Sequence, residues 1–333
     1  MIIQKIFSLS LLIVALFATP ARADLPQALQ IFKDLQRHEL QSGVLPENLS
    51  KIYLHPQKTA RAALLITGLY DTPRFMNGLA QGLFNQGLNV VVLRLSGHGT
   101  GLVQDLLNVQ YSYWLNDLET GLRIVRLLGN KTTLLGHSTG GTLSALAACR
   151  FPTEVDSVVL MAPALELRTS TKVAIRVSAE VGLNSDRVCP NPNEGGAGCY
   201  VMDFLNPVFK SQLQEKLPVV PAAGLQVISL GEYTQRYCGA NFERLTRPVL
   251  MISTESDDVV DHDYNVETAT NNNWQKLIFL KSDDVIHPSV PKSAGDEFAK
   301  NPRSHNPYFD SMRGRIIDFI FSADVPQSVQ PMR

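Results

Sequence analysis

The chain has 333 residues, 44% of them hydrophobic and 18% charged, with a formal net charge of −1. This is an ordinary globular composition, long enough for one large domain with an insertion, or for two domains. The near-neutral balance, with no local cluster of Lys and Arg, excludes an electrostatic case for nucleic acid as a partner.

Met1-Ile-Ile-Gln-Lys5 carries one positive charge, Ile6 to Ala18 is apolar, and Thr19-Pro20-Ala21-Arg22-Ala23 ends small-x-small. Residues 1–23 therefore read as a secretory signal peptide cleaved after Ala23. The competing reading is a membrane anchor, but the run is shorter than the about 20 residues a spanning helix needs. No cysteine follows the cleavage site, so a lipoprotein anchor is not indicated, and no later segment is apolar enough to span a bilayer. Export to the periplasm or beyond is the expectation, and it makes disulfides possible.

Residues 24–58 read as a helical extension. Leu25, Ala28, Leu29, Phe32, Leu35 and Leu40 share one broad side of a helix expected to pack outside the main domain. Ser50 to His55 reads as an edge strand. Arg61 to Thr67 is a compact apolar run consistent with a buried strand. Phe75 to Gln86 reads as a helix with Met76, Leu79, Ala80 and Leu83 on its apolar stripe, stopped by Gly87. Asn89 to Leu95 is a second buried strand, followed by the glycine-rich turn Ser96 to Gly101. Trp114 to Leu128 is amphipathic and stopped by Gly129-Asn130. Lys131 to Leu135 is a short strand running into Gly136-His-Ser138-Thr-Gly140, with a helix behind it to Arg150. Val155 to Ala162 is a further buried strand. Alternating apolar strands and amphipathic helices imply βαβ units, hence a parallel sheet covered on both faces.

From about Leu165 to Arg244 the strands disappear and prolines recur, at Pro190, Pro192, Pro207, Pro218 and Pro221. This reads as a mainly helical insertion over the sheet, bounded at residues 165–245. Its apolar residues, among them Val173, Ile175, Phe204 and Phe209, suit either a lid over an apolar pocket or simple anchoring to the core. Strands return at Arg247 to Ile252 and Gln275 to Leu280, and Pro307 to Ser322 closes the chain as a helix. The core is thus expected in two pieces, 59–164 and 246–325.

The four cysteines are Cys149, Cys189, Cys199 and Cys238. Cys189 and Cys199 flank a Gly- and Pro-rich loop and are the preferred bridge, while Cys149, late in a helix, reads as a buried thiol. Their spacing matches no metal-ligand signature.

In open parallel sheets functional groups gather at the carboxyl ends of strands. Three ends stand out here: Ser138, the loop Ser253 to Asp261, and the loop Lys281 to His287. A serine becomes a nucleophile when a base takes its proton. Histidine is the natural base, and a carboxylate fixes its tautomer. Ser, then Asp, then His, each at its own strand end, is the order expected in such a fold.

These motifs together resemble the α/β-hydrolase superfamily, close to its serine esterases and monoacylglycerol-lipase-like members. Leu65-Ile-Thr67-Gly68 is similar to the family's oxyanion loop, with Thr67 where His is usual. Leu95-Ser-Gly97-His98-Gly99 is similar to its Gly-His-Gly turn, Gly136 to Gly140 to its nucleophile elbow, and Pro248 to Ile252 followed by Asp257-Asp258-Val-Val to its acid loop. In the acid loop Ser253-Thr254 stands in place of the common His-Gly. The likeness covers about Arg61 to Pro163 and Arg247 to Phe321.

The resemblance implies an α/β-hydrolase fold with a mostly parallel sheet. It implies an exported serine hydrolase that cleaves carboxylic esters through an acyl-enzyme, with Ser138 as nucleophile, His287 as base and Asp257 as acid. Asp258 is the rival acid. The implied oxyanion donors are the backbone N–H groups of Leu69 and Thr139. The implied partners are small-molecule or lipid esters, which leaves room for peripheral contact with membrane lipids, and no cofactor or metal is expected. The same residues serve an amidase, a peptidase or an acyltransferase equally well, and a ligand-binding protein without catalysis is the reading of a different class. Asp261 and Asp263 read as solvated or capping residues, and His262 comes too soon after the acid loop to serve as base. His137 reads as a packing or hydrogen-bonding residue and His98 as structural. His38, His55 and His305 carry no signal.

Overall fold

The structure, a computed structural model, describes residues 21–180, 220–287, 290–294 and 305–322. Residues 1–20 of the expected signal peptide, 1–23, and the Cys189–Cys199 loop lie outside the described residues. No helix among the described residues is long and apolar enough to cross a membrane.

Seven strands make one sheet: β1 (Lys51–Tyr53), β2 (Thr59–Ile66), β3 (Asn89–Leu93), β4 (Gly129–His137), β5 (Ser157–Met161), β6 (Val249–Thr254) and β7 (Gln275–Phe279). Their spatial order is β1-β3-β2-β4-β5-β6-β7. Only β1, at one edge, runs antiparallel. Every residue of β3, β5 and β6 is buried, because helices cover both faces and leave no solvated side to demand alternating polarity. In the parallel register Ile66 pairs with Gly136, His137 with Met161, Met161 with Ile252 and Thr254 with Phe279. The carboxyl ends of β2, β4, β6 and β7 therefore open along one rim of the sheet.

The helices are α1 (Ala21–Gln41), α2 (Asn77–Asn85), α3 (Val103–Leu107), α4 (Tyr111–Leu128), α5 (Thr139–Arg150), α6 (Thr169–Glu180), α7 (Pro221–Cys238), α8 (His262–Asn271) and α9 (Phe309–Ser322). One expectation is overturned at α1. It packs on α4, and Ala28 and Phe32 are buried in the main core. It is also held by a buried ion pair. The Arg94 guanidinium lies 3.1 Å from Glu39. The same carboxylate accepts the Ser50 backbone N–H at 2.9 Å and the Ser50 hydroxyl at 2.6 Å. A charge pair without access to water persists only when its lone pairs are satisfied in this way.

The cysteine expectation is corrected as well. Cys149 is no free thiol; it is bonded to Cys238, 89 residues away. The bridge fastens the end of α7, in the insertion, to α5, in the core. Closing a loop of that length removes roughly 4–5 kcal/mol of unfolded-chain entropy. The double variant Cys149→Ala/Cys238→Ala is accordingly expected to lower unfolding stability by about 2–5 kcal/mol, read from its denaturant midpoint.

Candidate active site

Strand β4 delivers Ser138 into α5 through a turn that depends on Gly136 and Gly140. A Cβ on Gly136 would lie 2.1 Å from the Gly140 carbonyl oxygen, and one on Gly140 would lie 2.1 Å from the Ile66 carbonyl oxygen. Both positions are restricted to glycine by backbone contact. Ser138 itself has φ 52° and ψ −116°, a strained conformation for a residue with a side chain. The turn is held from three directions. The Ser138 N–H donates to the Met161 carbonyl, and its own carbonyl accepts from Gly141 and Ala164, each at 2.9–3.0 Å.

The loops after β6 and β7 bring two more side chains to this hydroxyl. His287 Nε2 lies 3.0 Å from Ser138 Oγ, and His287 Nδ1 lies 2.8 Å from Asp257 Oδ2. The other carboxylate oxygen, Oδ1, accepts the backbone N–H groups of Val259 at 2.9 Å and Val260 at 2.8 Å. The carboxylate can only accept, so Nδ1 carries hydrogen and Nε2 is left to accept from the serine. All three residues are buried. Burial opposes charge on His287, but the negative charge of Asp257 and its hydrogen bond outweigh it and hold the imidazole pKa above the ordinary 6.5.

The charge of the rival acid, Asp258, adds to the raised pKa of His287, while Asp257 makes the hydrogen bond to its ring. The Asp258 carbonyl accepts from Thr171, and Arg168 donates to the Asp257 carbonyl at 3.1 Å. Asp261 caps α8 by accepting the Tyr264 N–H at 3.0 Å, and His262 Nδ1 lies 2.8 Å from Ser253 Oγ rather than near Ser138.

The two backbone N–H groups expected to hold an oxyanion belong to Leu69, on the loop after β2, and to Thr139, which follows Ser138 in sequence. Gly68 packs against the serine, so that a Cβ there would lie 3.1 Å from Ser138 Cβ, and the Leu69 amide follows directly. Thr139 opens α5, where the first N–H groups of a helix have no partner within the helix and carry positive potential.

His137 is closer to the chemistry than the sequence suggested. Its Nδ1 lies 3.2 Å from Asp71 Oδ2 and its Nε2 lies 3.0 Å from the His287 carbonyl oxygen, with the two rings 5.0 Å apart. Burial pushes the His137 pKa down, against the pull of Asp71. Burial would push the Asp71 carboxyl up, but the His137 hydrogen bond and the positive charge of buried Lys292 bring it below its ordinary value. Asp71 was missed by sequence reasoning. The signal was available, since it sits four residues after Thr67 on a loop already singled out. His98 is buried 3.1 Å from the Ser96 carbonyl, its pKa pushed down to about 4 by burial, and is therefore neutral at neutral pH.

The profile of a family described as "serine aminopeptidase, S33" matches residues 57–277, two thirds of the chain. A thermostable monoacylglycerol lipase of Bacillus sp. (strain H-257) is 27% identical over 197 residues, which cover 59% of this chain and 70% of the relative. A monoglyceride lipase of Rattus norvegicus is 26% identical over 255 residues, 72% of this chain and 80% of the relative. Among solved structures, one reported with the metagenome-derived lipolytic enzymes LipS and LipT superposes with TM-score 0.60 at 20% identity. That match covers 84% of this chain and 99% of the other. The sheet order, the elbow at Ser138 and these matches agree: the chain has the α/β-hydrolase fold and belongs to the serine aminopeptidase S33 family of hydrolases.

Proposed function

We propose that this protein is a carboxylic-ester hydrolase that works through an acyl-enzyme. The observation that carries this reading is the relay Ser138 Oγ, His287 Nε2 at 3.0 Å, His287 Nδ1 and Asp257 Oδ2 at 2.8 Å. Ser138 attacks the ester carbonyl while His287 takes its proton. The Leu69 and Thr139 N–H groups hold the oxyanion. As the tetrahedral intermediate collapses, the C–O bond to the alcohol breaks and the alcohol leaves with the proton from His287. Water, deprotonated by the same ring, then attacks the acyl group, and the acid departs from Ser138. Asp257 keeps the tautomer and stabilises the imidazolium. The lipase relatives support an acylglycerol or similar lipid ester as substrate, and the apolar run behind Lys5 supports export. The family description favours a second reading, hydrolysis of aminoacyl amides by the same three side chains.

A substrate panel tests the choice. Esters of increasing acyl length are expected to turn over, with aminoacyl amides slower. The kcat/KM for esters should rise with pH through one ionisation lying above 6.5, because only the neutral imidazole accepts the serine proton and Asp257 raises its pKa. Turnover of amides alone would replace ester by amide hydrolysis, and no turnover with no labelling by a fluorophosphonate would sink the hydrolase reading.

A further inference from the structure

We propose that Tyr70 is a positioning residue that couples the insertion to the oxyanion loop. Its hydroxyl, bound to both main-chain groups of Val220, keeps the Leu69 N–H presented to the substrate carbonyl. The proposal rests on the reading of Leu69 as an oxyanion donor.

Three observations converge on Tyr70. First, its backbone lies in the left-handed region, with φ 69°, which a bulky residue adopts only where its surroundings impose it. The strain falls on the residue directly after Leu69. Second, its phenol reaches the insertion. The hydroxyl accepts the Val220 N–H at 2.9 Å and donates to the Val220 carbonyl at 3.1 Å. One hydroxyl serving both main-chain groups of one residue fixes direction as well as distance. Burial pushes the phenol pKa far up, so the proton it donates stays in place.

Third, both ends of this contact are anchored. Val220 is wholly buried and precedes α7 as its N-cap residue. That helix is held by the bridge from Cys238 to Cys149, by Gln235 donating to the Leu165 carbonyl at 2.9 Å, and by Gln226 accepting the Tyr111 N–H at 3.1 Å. On the loop side the Asp71 N–H donates to the Gly68 carbonyl at 3.3 Å, and the Asp71 carboxylate meets His137. Leu69 therefore lies between a strand end and two fixed points, of which Tyr70 is the one that faces the insertion. Misplacing a donor by a fraction of an ångström weakens oxyanion stabilisation far more than ground-state binding, so the effect should fall on kcat.

Tyr70→Phe keeps the ring and removes both hydrogen bonds. We expect kcat on a short acyl ester to fall about 10- to 100-fold with KM within about twofold. Affinity for a trifluoromethyl ketone, whose hemiketal oxygen uses the same N–H, should fall in step. Amide hydrogen exchange should rise at residues 68–71, at Val220, whose N–H donates to the hydroxyl, and at residues 222–226 of the free protein. Tyr70→Leu, which loses the ring too, should match Tyr70→Phe in analogue affinity. Wild-type analogue affinity in Tyr70→Phe overturns the proposal, as does an affinity lost only in Tyr70→Leu, which would mark packing. If the wild type turns over no ester, the functional reading fails on its own. The exchange measurement still decides the coupling, and unchanged exchange in Tyr70→Phe rejects it.

Discussion

Ser138→Ala is expected to lower ester turnover by about six orders of magnitude while leaving the fold and substrate binding in place. In the proposed mechanism the serine hydroxyl receives the acyl group, and it lies 3.0 Å from His287 Nε2. The residual rate would come from the oxyanion donors and from binding alone. Because Ser138 and His287 act as one unit, Ser138→Ala/His287→Ala should be no slower than either single variant. Kinetics on one short ester checks both statements, and a double variant slower than the singles by a further large factor would break the assignment. Stability gives an independent control. Alanine keeps the positive φ of 52° and its strain, whereas glycine adopts it freely. Ser138→Gly should therefore be equally inactive and unfold at a higher denaturant concentration than Ser138→Ala.

Asp257→Asn is expected to reduce kcat by about 10⁴-fold, near 5.5 kcal/mol of transition-state stabilisation. The geometry dictates how. The Val259 and Val260 N–H groups, at 2.9 and 2.8 Å, bind one carboxylate oxygen. In the asparagine they orient the amide oxygen toward themselves and leave the NH₂ facing His287. Nδ1 must then accept, the ring hydrogen moves to Nε2, and Nε2 can no longer take the serine proton. The loss of the negative charge also lowers the His287 pKa, so the residual activity should rise with pH through an ionisation lower than that of the wild type. Asp258→Asn, which removes a charge near His287 but leaves the Asp257 hydrogen bond to its ring in place, should stay within about threefold of wild type. Equal losses in the two variants would overturn the choice between them.

The parallel sheet was legible because strands buried on both faces are written as unbroken apolar runs, such as Val90-Val91-Val92-Leu93 and Val158-Val159-Leu160-Met161. The three side chains that meet were legible because each follows such a run and the nucleophile turn constrains its glycines. Other features were not. Helix α8 buries Asn265, Thr268 and Ala269, a stripe with almost no apolar signal. The Cys149–Cys238 bridge joins positions 89 residues apart, and pairing over that distance follows from the fold and not from local spacing. The pairing of Glu39 with Arg94 follows only from where the fold places α1 and the end of β3. Tyr70 carries no sequence signature, since its partner Val220 lies 150 residues away.

The distribution of the relay along the chain has a consequence for a growing polypeptide. Ser138 and its histidine are 149 residues apart, and the histidine and its carboxylate 30 apart. The elbow can form with β2, β4 and β5, from the first half of the chain, but β6 and β7 come last to the sheet edge. A nascent chain that has folded its first half thus presents the nucleophile with neither base nor acid. In the proposed mechanism Ser138 gains its base and acid only when β6 and β7 have joined the sheet, so labelling by a fluorophosphonate is expected only after those strands dock.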